Sequence, residues 1–479
     1  MSDLPPETIQ EAPSVSAQPA ALSPWVTAAC GACVSLYLGF VFFTASPSPL
    51  DRFEYPEESL ERLVTREMDL RAAVRQAPEW KQALYTTFSG GDDTLTDAIA
   101  WYDELIGVSQ SPVAPLYRIV LLAEDGQHDR INVTVVPWEF QGEEAYRMAQ
   151  WVRAGYLERD LDQDRARALL MEIRSDLTPD WMADTLVARV AAAAGEQTAQ
   201  KEAELAIRAR GDELLNRWIL LSTIHLVLLV VGVVAMGLIM ARRLSVVAGE
   251  APFPPAWTAQ DGYGLFLRGV FGFLLIGILT ALLLPPVSPY AGIGTLAAGI
   301  PLLWWLHRYL LVRNLSWATT FGLRLSSGGR GRVIGATFVV IGLSMLGEAA
   351  ILLVSQVWHY QPHWTDGLLE SLLWGPPWLA ACDIFDSAVW APLIEEVAFR
   401  GVLYATLRIT MGVWPAVSVS AGIFAVVHGY GVLGFASVFW SGLLWAVAYE
   451  RTRSLLPGIL AHMVNNLLVS AEFIWLLRL

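Results

Sequence analysis

Runs of about twenty mostly apolar residues, broken by short polar links, recur from residue 219 to the end of the chain. Most are long enough to cross the roughly 30 Å hydrocarbon layer of a bilayer as a helix. A segment in lipid must satisfy its own backbone N–H and C=O groups, so such runs fold as helices. The chain has 479 residues, 54% of them hydrophobic and only 16% charged, which is too apolar for an ordinary soluble globule. The expected fold class is therefore all-α, a polytopic transmembrane helical bundle. The runs lie near 219–240, 263–284, 291–311, 334–357, 378–407, 415–428, 432–449 and 455–477. The stretch 415–428 is short for a full span.

Residues 1–23 are rich in Pro, Ser, Ala and Glu and contain no basic residue, so they read as a disordered cytoplasmic tail. A cleaved signal peptide needs a basic start, so 24–45 reads as an uncleaved first membrane helix, the first of about nine spans. Cys30 and Cys33 have redox spacing, but within a membrane helix they read better as small residues at a packing face.

Between 46 and 217 the pattern changes. Charged residues alternate with apolar ones at helical spacing, as in ESLERLVTREMDLRAAV. Roughly 32 acids stand there against roughly 19 bases, nearly the whole net charge of −14. The segment reads as an inserted, mostly helical extracytoplasmic domain that can carry a protein partner, and its charge argues against nucleic acid. Residues 131–136 have strand composition and leave a short hairpin open, and 98–126 resembles a single helix hairpin. Arg308, Arg313, Arg324, Arg330 and Arg332 crowd one side of the predicted bundle, whereas 358–377 has no Lys or Arg. The arginine-rich side is expected in the cytoplasm, together with the amino terminus. Residues 218–329 then form membrane helices, and 330–479 the part that carries chemistry.

That chemistry rests on three fragments. Glu395 and Glu396 precede Arg400, Phe424 precedes His428 by four residues, and His462 precedes Asn466 by four. Ionisable groups at membrane depth are costly and point to function. Glu396 and Arg400 are spaced for a same-face ion pair, while Glu395 points about 100° away. Glu395 is the candidate general base, because a carboxylate in a low-dielectric site gains basicity toward water. Glu395 and His428 are nearly equidistant from a turn near 410–412, so an antiparallel hairpin brings them level. His462 and Asn466 share one helix face and can donate to a developing oxyanion. His462 lies close to the start of the last run, so the 378–407 and 415–428 helices must project past that start for the fragments to meet. Other polar residues have duller readings: His225 as packing, Glu348 as paired or bordering the cavity, Asp383 and Asp386 at a helix mouth, His359 and His363 as solvated loop residues. No HExxH and no P-loop are present.

The fragments EEVAFR, FAVVH and HMVNN resemble the EExxxR, FxxxH and HxxxN motifs of the CPBP family, the CAAX prenyl protease or ABI type of intramembrane protease. The likeness covers about 330–479. It implies an intramembrane endopeptidase in which Glu395 and His428 activate water, His462 and Asn466 stabilise the oxyanion, and Glu396 and Arg400 support them. Phe424 and Phe399 are expected to line the substrate site. The motif is compatible with zinc held by Glu395, His428 and His462 and equally with metal-free glutamate and histidine catalysis. The substrate would be a membrane-embedded or lipid-anchored protein or peptide. The alternatives are a non-catalytic membrane scaffold or maturation factor on the same fold, and a proton-coupled transporter.

Overall fold

A computed structural model describes residues 22–44, 49–89, 94–109, 111–242, 244–283, 291–358, 360 and 363–479. The expected tail therefore lies almost wholly outside the described residues, as does His359. The molecule is an all-α polytopic bundle. Among the described residues, five helices are long and apolar enough to cross a membrane: Gln197–Ala241, Ala259–Leu283, Gly329–Val357, Val432–Thr452 and Leu456–Arg478. Shorter apolar helices lie at Pro24–Phe40, Leu296–Val312 and Val413–His428. Leu226, Val230, Val234 and Leu238, four apart along the first of the long helices, are exposed, which suits a face that meets lipid.

The charged segment forms a helical domain of its own. The helix Pro56–Gln76 starts with Pro56 in its first turn beside Glu57 and Glu58, residues that favour a helix amino terminus. Leu60, Val64 and Met68 recur every four residues and are buried in one core that also holds Leu105, Leu116, Trp151 and Leu186. Asp162 and Asp180 each cap a following helix through side-chain oxygens that accept backbone N–H groups. The possible hairpin at 131–136 is instead helical, His128–Val135 running into a short turn at Val136–Phe140. Ile131 and Val135 are four apart and wholly buried, so helical burial overrides their β-branched propensity. No strand occurs among the described residues. Helices Thr94–Val108 and Val113–Glu124 make the anticipated helix hairpin, with Tyr102 edge-on to Tyr117 at 6.2 Å.

One 45-residue helix, Gln197–Ala241, joins this domain to the bundle without a break at residue 217. At Gly211 a Cβ would meet the Asp69 carbonyl at 2.2 Å, and at Gly232 one would meet the Phe338 carbonyl at 2.5 Å. These two glycines let the helix press against Pro56–Gln76 at one end and Gly329–Val357 at the other. Arg210 adds an ion pair to Asp69 at 2.8 Å and to Asp184 at 2.7 Å.

The apolar stretch near 378–407 is not a plain α-helix. It runs from Pro377 to Met411 with wider π turns at Asp386–Trp390 and Glu396–Tyr404. It turns at Gly412, whose φ of +76° suits glycine, and returns as Val413–His428. Tyr404 donates to Glu450 at 2.7 Å, and Arg408 pairs with the same carboxylate at 3.4 Å. The hairpin thus reaches the last turn of Val432–Thr452 and passes the start of the final helix, as the sequence spacing demands. Cys30, Cys33 and Cys382 are all free thiols.

Candidate active site

π turns shift side-chain directions along a helix and recur at functional sites. Here the second begins at Glu396, so the two neighbouring carboxylates take different surroundings. Glu396 is wholly buried, and its Oε1 accepts from Arg400 Nη1 at 2.8 Å. The i,i+4 pair expected from the sequence is formed despite the wider turn. Arg400 is also fully buried, with its guanidinium 4.2 Å above the Phe424 ring and 4.9 Å from that of Trp445. Aromatic faces attract a cation and help offset the loss of water around this pair.

The final helix brings in His462. Its Nδ1 lies 3.2 Å from Glu396 Oε1. A carboxylate can only accept, so Nδ1 carries the proton in that bond and Nε2 faces away from it. Nε2 stands 3.8 Å from Glu395 Oε2. His462 is 3% exposed while the Glu395 side chain is 30% exposed, so one partner is fixed and the other reaches open space. The imidazole stacks on Trp445 at 3.9 Å with 20° between the planes.

His428 closes the Val413–His428 helix. Its Nδ1 donates to the Phe424 carbonyl at 2.7 Å, which leaves Nε2 as the basic nitrogen. Phe424 is the hub, 1% exposed. Its ring lies edge-on to Phe399 at 5.0 Å, His428 at 4.6 Å and His462 at 6.0 Å. Phe399 is half-buried between Phe424 and Phe266. Asn466 donates to the Ser387 carbonyl at 2.8 Å and accepts from Asn465 at 3.2 Å. One amide hydrogen of Asn466 is thus spent on holding the first π turn against the final helix.

All six polar positions singled out in the sequence therefore lie on the hairpin and final helix, and Glu395, Glu396, Arg400 and His462 form one connected cluster. Among the described residues no three His, Cys, Asp or Glu side chains come together in a metal-holding group. The set Glu395, His428 and His462 does not fit zinc as placed, because only Glu395 and His462 face each other and His428 is not gathered with them.

Several neighbours had no sequence signal of comparable strength. Trp445 is one apolar residue among many in its run. Ser387 meets Asn466 through its backbone carbonyl, which any residue would offer. Gly458 was traceable, since it lies one turn before His462 on the same face, and a Cβ there would sit 3.0 Å from Glu396 Oε2. Among the other polar residues, Glu348 accepts from Ser437. His225 is more than a packing residue, with Nε2 3.4 Å from Glu472. His363 is only partly solvated: its ring contacts Glu104 at 2.8 Å and Thr365 at 2.7 Å.

No curated protein and no solved structure matches this chain. Residues 377–468 match the family model described as type II CAAX prenyl endopeptidase Rce1-like. That segment contains the whole hairpin, His428, His462 and Asn466, and its match supports a likeness of this part of the chain to the CAAX-type intramembrane proteases.

Proposed function

We propose that the protein is an intramembrane endopeptidase hydrolysing a peptide bond in a membrane-embedded or lipid-anchored protein or peptide. The observation that carries this reading is the 3.8 Å separation of Glu395 Oε2 from His462 Nε2, with His462 anchored from behind by Glu396. A carboxylate and an imidazole that face each other without bonding directly can hold a water between them. Glu395 takes a proton from this water as its oxygen adds to the peptide carbonyl carbon. The C–N bond then breaks and the proton passes to the leaving amine. His462, taking that proton from Glu395 on Nε2 before it reaches the amine, donates to the developing oxyanion, and Asn466, four residues on along the same helix face, shares that task. His428 offers Nε2 as a second base. Glu396 and Arg400 hold His462 in its orientation.

The integral membrane protein is placed, under this proposal, with the amino terminus and arginine-rich loops in the cytoplasm and the appended domain outside, where its acidic helical surface can receive a protein partner. The test is a comparison of peptides and protein fragments in source-cell membranes containing the wild type or Glu395→Gln. Fragments that disappear in the variant while their precursors accumulate would support proteolysis and name the substrate. An unchanged profile, with the variant at normal level and still complementing a deletion, would replace this reading with the scaffold.

A further inference from the structure

The segment His363–Trp374 belongs to the membrane half of the sequence but is fastened to the appended domain. Trp364, Leu368 and Leu373 are buried in that domain's core, and Trp364 lies 5.1 Å from the Phe53 ring. The Glu370 carboxylate accepts from the backbone N–H groups of Glu54 and Tyr55 at 3.0 and 2.9 Å and from the Ser59 hydroxyl at 3.0 Å. His363 adds its contact to Glu104. Asp366 sits between these anchors and reaches the opposite way, accepting the Gly431 N–H at 3.2 Å.

Gly431 is the cap residue of Val432–Thr452 and has no side chain with which to cap it. The first N–H groups of a helix need acceptors, and a carboxylate there also meets the positive end of the helix dipole. A Cβ at Gly431 would lie 2.9 Å from Asp366 Oδ2, so glycine is what permits the approach. The joint from Gly429 to Gly431 begins one residue after His428, and Gly429 has φ of +66°. A glycine on either side of Tyr430 gives the joint a wide choice of backbone conformations, and the Asp366 bond to Gly431 is one contact that narrows it. His428 is tied to the helix behind it through Phe424, and its ring packs on Tyr430 of the joint at 5.7 Å, so the path of the joint bears on the imidazole.

We propose that Asp366 is a positioning residue for His428: by fixing the Gly429–Gly431 joint from the appended domain, it makes the placement of the His428 imidazole depend on how that domain is seated. The proposal rests on the protease reading for its consequence, a cleavage rate governed from the appended domain, but not for the structural coupling itself. Binding at that domain would then reach the site through Glu370, Asp366 and Gly431.

The test is hydrogen–deuterium exchange of the purified full chain in nanodiscs, read on peptides covering 429–436. Asp366→Ala should speed exchange there about tenfold, because the local opening loses its stabilising acceptor, while Asp366→Asn, which keeps an acceptor oxygen, should stay within about threefold of wild type. Glu370→Gln should raise exchange both at 54–59 and at 429–436. Unchanged exchange at 429–436 in Asp366→Ala overturns the proposal, as does a uniform rise that includes Gly329–Val357. A Glu370→Gln effect confined to 54–59 overturns the link to the appended domain. In membranes, Asp366→Ala should slow formation of the Glu395-dependent fragments, and Asp366→Asn should restore most of the rate. Altered exchange with no Glu395-dependent fragments in the wild type would keep the coupling and sink the protease reading. Such fragments with unaltered exchange would do the reverse.

Discussion

The indole of Trp445 lies nearly parallel to the imidazole of His462, with 3.9 Å between ring centroids. His462 is thereby clamped between an aromatic face and the Glu396 carboxylate, and its Nε2 has one direction left, toward Glu395. Trp445→Ala removes that clamp. The expected outcome is a cleavage rate lower by about 10²-fold, since small misplacements of a catalytic group have effects of this size. Trp445→Phe should retain most of the activity. Rates of fragment formation in membranes at matched protein level check this.

The Glu396–Arg400 pair is fully buried, so removing one partner strands the other charge. Glu396→Gln and Arg400→Met are each expected to destabilise the protein by about 3 to 5 kcal/mol, whereas the double variant should recover part of that loss. Neither single nor double variant should cleave, because His462 has lost its anchor. Thermal unfolding in detergent and the fragment assay together separate the two effects.

Gly458 and Gly442 mark where backbone comes closest to the buried pair. A Cβ at Gly458 would stand 3.0 Å from Glu396 Oε2, and one at Gly442 would stand 3.1 Å from Arg400 Nη2. Gly458→Ala is expected to push the carboxylate out of line with His462 and lower the rate about tenfold, with a smaller loss for Gly442→Ala. Equal rates for wild type and Gly458→Ala would show that the carboxylate has room to yield.

The appended domain should respond to pH in the opposite sense to a domain held by carboxylate salt bridges. Asp180 is pushed up to about 7, first by burial and further by the facing Glu61, although bonds from the Ala183 and Met182 N–H groups oppose the shift. Burial likewise lifts Asp69 to about 6 against the pull of Arg210. Each group binds its proton more tightly folded than unfolded. Its contribution to stability is therefore fully present below the ordinary carboxylate range and is lost as pH rises through about 6 to 7. Thermal unfolding of the domain's tryptophan signal should show a midpoint that falls between pH 5 and pH 7.5, with a shallower fall in Asp180→Asn. An equal slope in the variant would assign the pH response to other groups.

The helical nature of the fold was legible because lipid leaves a backbone few choices, and twenty-residue apolar runs state that constraint in one dimension. The ion pair of Glu396 and Arg400 was legible for a similar reason, being local to one turn. The segment 131–136 was not, since β-branched composition describes a residue's own preference and burial of Ile131 and Val135 decided otherwise. His363 and His225 read as inert because their partners Glu104 and Glu472 lie hundreds of residues away in sequence.

By itself the sequence determined an all-α membrane bundle, an acidic helical insertion, and which polar residues are the candidates for chemistry, since each of these follows from composition, period or short-range spacing. Tertiary structure alone decided that His462 meets Glu396 by one nitrogen and faces Glu395 by the other, that Trp445 clamps it, and that Asp366 ties the appended domain to the joint after His428. These depend on where helices cross and how π turns rotate their side chains, and such crossings are set by packing between segments that no local pattern connects.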